Sequence, residues 1–449
     1  MNGSELSSGE FCFWEDRMTA VATLKSDELT PLPLRDELRH RVVGFDVLRA
    51  IAILLVASGH MLAAFAVPKD IATFGRPLWI LMFQLAVAGV DLFYVLSGFL
   101  IGGLLLAELA ETGTIDVLRF YGRRAMRLWP AYFLAVLFAS QWYGRFVKEL
   151  DGEVVVLPHL RDMWPFFLQV QNYYDVHVHH RMNIGAIMQT WTLASLVHFY
   201  IVIPLVLLAL KVVCGKGRGG RLPLLPWMVG AIFAACLWMR WRAAPADHNG
   251  YNAWLHYFPT HLRIDEMMAG VLAAYWVMHA RPLVNRVMAY WPLVLIAGIG
   301  AIAPVGLRRE EGPRFLIVWG YTVAGIGCLA LVMVAWWLAQ RRENLAEGER
   351  SAWPIRWFAQ IGVWSYSIYL WHQPAAQFIA PKVRTKLFSF LIRRHFDPWH
   401  SQFQYLMSAI IFFAFAVGIG AVMYYLIERP SLILRERWLP RRGKERAAG

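Results

Sequence analysis

The chain has 449 residues, of which 58% are hydrophobic and 17% charged, and its mean hydropathy is +0.43. This balance excludes a soluble globular domain and points to a series of membrane spans. The net charge of +13 would suggest nucleic acid in a soluble protein. In a membrane chain, basic cytoplasmic loops and anionic lipid account for it, and no nucleic-acid role is expected.

Residues 1–41 are polar, and Arg35, Arg39, His40 and Arg41 place this segment on the cytoplasmic side of the first span. That span, 44–64, reads GFDVLRAIAILLVASGHMLAA, with Asp46 and Arg49 at its start and His60 near its far end. Asp46 and Arg49 are spaced as an intrahelical pair. Arg49 and His60 are eleven residues apart, about 16 Å along a helix and roughly on one face. An ionisable group at this depth faces the bundle interior or a wet cavity. An imidazole there serves either as an interhelical hydrogen-bonding group or as a general base. Ser58 is two residues from His60 and faces away from it, so it is not expected to be a nucleophile.

The second run, about 78–107, contains GVDLFYVLSGFLIGG, with Asp91 charged and Gly98, Gly102 and Gly103 permitting close helix approach. RFYGRRAMR follows, carrying Arg119, Arg123, Arg124 and Arg127. A guanidinium fork suits phosphate or carboxylate. The third span is expected over 129–146, with Pro130 in its first turn. The longest polar connection runs to about 188 and is rich in aromatics and histidines. Its HVHH run, with Asp175 nearby, lacks a convincing metal-ligand set, and no metal is expected. The fourth span, about 190–213, opens with TWTLASLVHFYIVIP. The basic CGKGRGGR turn after it lacks the preceding strand and the GKS or GKT ending of a phosphate loop.

Further spans are expected at about 224–241, 260–279, 287–305, 314–338, 357–379 and 403–427. The sixth is entered through THLRIDEMMAG, where Arg263 and Asp265 are two apart and each needs a partner from another helix. The ninth contains WSYSIYLWHQP, where His372 precedes Gln373 and Pro374 and the helix must distort or end. The reading is an all-α, polytopic integral membrane bundle of about ten helices over 42–432, with both ends cytoplasmic and a basic tail at 433–449. Cys12, Cys214, Cys236 and Cys328 show neither ligand spacing nor a disulfide framework. Charges inside a bundle also suit an ion or solute transporter, but no internal repeat of the kind transporters carry is visible.

Several motifs, in order, resemble the integral membrane acyltransferase 3 family, whose members O-acylate cell-surface glycans. FDVLRAIAILLVASGH resembles its first-span signature, with Arg49 and His60 at the arginine and histidine positions. GVDLFYVLSGFLIG, FYGRRAMRLWPAYF, WTLASLVHFYIVIPL, RIDEMMAG, SYSIYLWHQP and YYLIERP resemble the later motifs. The resemblance implies transfer of an acyl group, commonly acetyl, from cytoplasmic acyl-CoA to a hydroxyl of a cell-surface or exported glycan. It implies a bacterial cytoplasmic membrane location and no tightly bound cofactor. Under it, Arg123, Arg124 and Arg127 hold the donor phosphates, His60 takes the hydroxyl proton with His372 as the rival base, and Arg49 or Arg263 stabilises the oxyanion. A fourth-span glutamate usual in the family is Leu196 here, so that either this carboxylate is not catalytic in this branch, or Glu266 or Asp265 serves instead, or the activity is altered or lost. The readings kept beside the enzyme are a transporter or flippase and a non-catalytic protein of the same fold.

Overall fold

The computed structural model describes residues 42–64, 76–146, 163–174, 185–215, 221–245, 252–307, 313–343, 353–393 and 402–440. These are helical, with no β-strand among them. The long helices are α1 (Val43–Ala64), α2 (Arg76–Thr112), α3 (Val117–Phe146), α4 (Trp191–Cys214), α5 (Leu225–Ala243) and α6 (Ile264–His279). They continue as α7 (Arg281–Met288), α8 (Trp291–Leu307), α9 (Tyr321–Glu343), α10 (Trp353–Val363), α11 (Ser365–Pro374), α12 (Ala380–Arg393), α13 (Gln402–Met423) and α14 (Arg429–Trp438). The chain is a multi-pass membrane protein.

The expected ten spans are not all uniform apolar rods. Among the described residues, five stretches are long and apolar enough to cross a membrane: Val43–Met61, Leu85–Thr112, Ile187–Cys214, Leu316–Arg341 and Leu406–Trp438. A sixth arises if α7 and α8, bent by 81°, form one broken span. The remaining expected spans fall short because polar groups or breaks interrupt them. α3 carries five arginines, α5 ends in Arg240 and Arg242, and α6 has 16 residues with Asp265 and Glu266 in its first turn. The ninth is split into α10 and α11 at Trp364 and continues through a π-helical turn, Ala375–Ile379. Pro130 lies inside α3 rather than at its start, since that helix begins at Val117. The tail is not wholly separate either. α14 packs back on α3, where Arg123 pairs with Glu436 at 2.7 Å and Arg119 donates to the Pro440 carbonyl.

The helix α2 is central, packed along α1 on one side and α6 on the other. Glycine makes both contacts possible. A methyl group on Gly98 would collide with the Met267 carbonyl, and one on Gly270 with that of Val95. Gly89 lies against the Ala52 carbonyl and Val56 of α1, and Gly362 brings α10 onto the Asp46 carbonyl. Small residues at these crossings let backbones approach where apolar lipid supplies no hydrophobic drive for association.

Gly98→Ala should therefore destabilise the bundle, by roughly 1–3 kcal/mol if the helices shift to relieve the overpacking. Gly300→Ala, where an added methyl meets nothing within 4 Å, should be near neutral. Thermal unfolding in detergent, followed by size-exclusion recovery, checks the pair.

Candidate active site

A slot of about 170 Å³ lies between α1, α2, α3, α4 and α11. Along α2 its lining runs from Val90 to Ile101, eleven residues or about 16 Å of helix. Thr192, Tyr94 and Tyr369 line one part; Tyr200, Arg49, Arg124 and Arg127 also line it, and α4 runs from Thr192 through Leu196 to Tyr200 along its wall. Helical spacing explains the lining: Tyr94, Ser97 and Ile101 recur at three and four residues, as do Ser365 or Tyr366 and Tyr369.

The three lining arginines differ in what neutralises them. Arg49 Nη1 lies 2.7 Å from Asp46, the intrahelical pair expected from the spacing. Arg127 lies 2.7 Å from Glu428, a fully buried carboxylate that also accepts from Ser367 at 2.6 Å. Arg124 has no carboxylate partner among the described residues; its Nε is buried without a hydrogen bond and its guanidinium lies 5.8 Å from the Phe120 ring. Arg123 is not in the slot. It is turned to the C-terminal segment, where it holds Glu436 and the Leu439 carbonyl. Of the expected cluster, Arg124 and Arg127 line the slot and Arg123 does not, since helical geometry sends adjacent arginines to different faces.

His60 and His372, read from the sequence as rivals, are neighbours. Their ring centroids are 5.1 Å apart. The His60 Nδ1 is 2.6 Å from the Gln373 amide nitrogen, which anchors that ring to α11. His372 is fully buried, and its Nδ1 lies 2.8 Å from the Tyr369 carbonyl and 3.2 Å from that of Ile368. A carbonyl only accepts, so Nδ1 carries the proton and Nε2 keeps its lone pair. That Nε2 is buried and has no hydrogen-bond partner. The geometry provides a proton acceptor with a fixed tautomer beside a half-buried second imidazole. Neither histidine lines the slot. They lie past Tyr369, whose ring is 5.9 Å from that of His372.

Arg263 is elsewhere. It is fully buried, hydrogen-bonded to Asp91 of α2 and to Glu266 at 2.8 and 3.1 Å, and packed at 4.5 Å from both Tyr257 and Tyr321. Asp265 likewise pairs with Arg240 and accepts from Thr322 at 3.0 Å. The partners demanded by the two-residue spacing are thus supplied: Arg263 and Asp265 each sit in a buried ion pair, and neither is among the residues that line the slot. For the same reason neither Glu266 nor Asp265 stands in for a carboxylate at Leu196, which is part of the slot wall while they are not. Arg49 lines the slot and stands about three helical turns from His60 along α1. The HVHH run lies outside the described residues.

Tyr369, Thr192, Gln373 and Tyr200 stand at the slot or the histidine pair although their motifs assigned them no role in the chemistry. A signal was present for two of them: Tyr369 precedes His372 by three residues, one helical neighbour, and Gln373 follows it directly.

The fold and site define a multi-pass helical membrane protein in which an arginine-lined slot runs toward a histidine pair. The chain belongs to the acyltransferase domain family, which it matches over residues 42–425. It is 27% identical over 356 residues to the peptidoglycan O-acetyltransferase OatA of Listeria monocytogenes, covering 76% of this chain and 50% of that protein. It is 25% identical over 408 residues to a Bacillus subtilis protein provisionally named a peptidoglycan O-acetyltransferase, covering 87% and 55%. A Staphylococcus aureus protein provisionally named an O-acetyltransferase is 26% identical over 356 residues, covering 75% and 51%. The chain spans about half the length of these relatives. No solved structure matches it.

Removing Arg263 as Arg263→Ala leaves Asp91 and Glu266 buried without their cation, a change worth roughly 3–5 kcal/mol. The expected outcome is loss of folded protein from the membrane fraction, measured by quantitative blotting, and not a selective change in turnover.

Proposed function

We propose that the protein is an O-acyltransferase of a bacterial cytoplasmic membrane. It takes an acyl group from cytoplasmic acyl-CoA and delivers it to a hydroxyl of a cell-surface or exported glycan. The observation that carries this reading is the slot, lined by Arg49, Arg124 and Arg127 and running toward the histidine pair. The arm of coenzyme A between its pyrophosphate and its sulfur is about twelve bonds, or about 15 Å at the rise of an extended chain. Arg49 and His60 are separated by about 16 Å along α1. Phosphates at the arginines therefore put the thioester near the histidines. The relatives named as acetyltransferases support acetyl as the group, and the name of the Listeria relative supports a peptidoglycan-like polymer as acceptor.

In this reading the arginines bind and do not react. Arg124, with no carboxylate partner, supplies the free charge for a phosphate, while Arg49 and Arg127 orient it through their own pairs. The acceptor hydroxyl meets the imidazole pair, in which partly buried His60 accepts at Nδ1 from the Gln373 amide and the free lone pair is that of His372 Nε2. As the hydroxyl oxygen attacks the thioester carbonyl, its proton passes to the imidazole pair. Collapse of the tetrahedral intermediate breaks the carbon–sulfur bond, and the thiolate takes that proton back. The ester and free coenzyme A leave, and no net proton is gained or lost. Ten crossings with both ends cytoplasmic remain the proposed topology, several of them interrupted.

Kinetics separate the roles. Arg124→Ala should raise the apparent donor KM, whereas Arg123→Ala should leave it near wild type because Arg123 serves the C-terminal contact. His60→Ala and His372→Ala should each reduce acyl transfer by about 100- to 10,000-fold with the protein still in the membrane. Initial rates with acetyl-CoA and a glycan acceptor, compared with mass analysis of surface glycans from cells with and without the gene, check both. Equal donor KM effects at Arg123 and Arg124 would contradict the assignment of the slot.

A further inference from the structure

The slot and the histidine pair do not meet. Tyr369 lines the slot and faces His372 at 5.9 Å between ring centroids, while neither His60 nor His372 lines the slot. Along α11, Ser365, Tyr369 and His372 follow one another at helical spacing, so the same face leads from the slot past the tyrosine to the base. Tyr369 is the side chain between them.

Its hydroxyl is held from two directions. The Gln189 carbonyl only accepts, so the Tyr369 O–H donates to it. The Thr192 hydroxyl, 2.6 Å away, then donates to the tyrosine oxygen. Gln189 also clasps the α11 backbone, donating to the Leu370 carbonyl at 3.2 Å. Tyr369 is nearly buried at 6% exposure and Thr192 likewise at 6%, so these bonds form in a shielded place where breaking them is costly.

We propose that Tyr369 is a gate between the slot and the histidine pair, latched shut by Thr192 and Gln189. A ligand seated in the slot meets the phenol ring before it meets His372. Reaching the base requires rotation of that ring out of line, which breaks both hydrogen bonds of its hydroxyl. The latch keeps the base from the slot until something displaces it. In the acyltransferase reading, on which the purpose of the gate rests, the closed state keeps a bound thioester away from activated water, and the acyl end of the donor is what displaces the ring. The gate itself is a property of the geometry and can be tested without donor or acceptor.

The test is modification of His372 by diethyl pyrocarbonate in the purified full-length protein, read peptide by peptide by mass spectrometry. Tyr369→Phe keeps the ring and removes both latch bonds; Thr192→Val removes one. Each should speed labelling of His372, the second by about five-fold, the population change expected from loss of one ordinary hydrogen bond. Tyr366→Phe is the control: Tyr366 lines the same slot from the same helix, but its hydroxyl donates to the Leu128 carbonyl at 2.7 Å. It should leave the labelling of His372 unchanged. Unchanged labelling in both latch variants, or an equal increase in the Tyr366 control, would overturn the gate. Faster labelling in a protein that transfers no acyl group would keep the gate and reject the enzyme reading.

Discussion

The cost of burying charge organises this protein. An ion removed from water into a helical bundle is destabilising by several kcal/mol unless a partner and hydrogen bonds offset it. The wholly buried carboxylates and guanidinium groups here are matched: Arg263 with Asp91 and Glu266, Arg240 with Asp265, and Glu428 with Arg127. Two of these sets tie α6 to α2 and to α5, so the ion pairs also set how the central helices sit. Where irregular backbone enters the bundle, as at the π-helical turn Tyr424–Glu428, it delivers one of these charges.

Against that background of matched charge, the groups left over carry the functional reading. Among the described residues, Arg124 faces the slot without a carboxylate, and the Nε2 of His372 is buried without a partner. An uncompensated cation is a place for an anion, and a buried imidazole lone pair is a place for a proton. They lie at different places along one path, as phosphate and thioester do in an acyl-CoA. The tyrosine between them turns a continuous path into one with two states, and a small rotation about one side chain is sufficient for the change.

Family membership and chemistry also divide differently along the chain. The match extends over most of the bundle, yet the wall residue Leu196 stands where the family resemblance implies a carboxylate. No neighbouring acid takes its place in the slot, because Glu266 and Asp265 are spent on Arg263 and Arg240. The slot therefore keeps more positive character than a glutamate would leave it, with Asp46 and Glu428 as the carboxylates that temper it.

Much was legible in the sequence because it depends on local composition and spacing. Apolar runs marked the helical membrane class, the three-residue interval paired Asp46 with Arg49, and Gln373–Pro374 after His372 marked the end of α11. The eleven-residue interval from Arg49 to His60 set a length without any knowledge of neighbours. What required the tertiary structure were the relations between helices. Arg123 and Arg124 are adjacent in sequence, yet one pairs with Glu436 and the other lines the slot, since a step of one residue on a helix is a turn of about 100°. His60 and His372 are 312 residues apart and become a pair because α1 and α11 pack together, something no local period encodes. Arg263 is held by Asp91 on another helix, a partner that no local spacing names. Among the described residues only five or six of the ten expected spans are long and apolar enough to cross a membrane, and the others carry charge that neighbouring helices neutralise, which hydropathy, reading each segment alone, does not register.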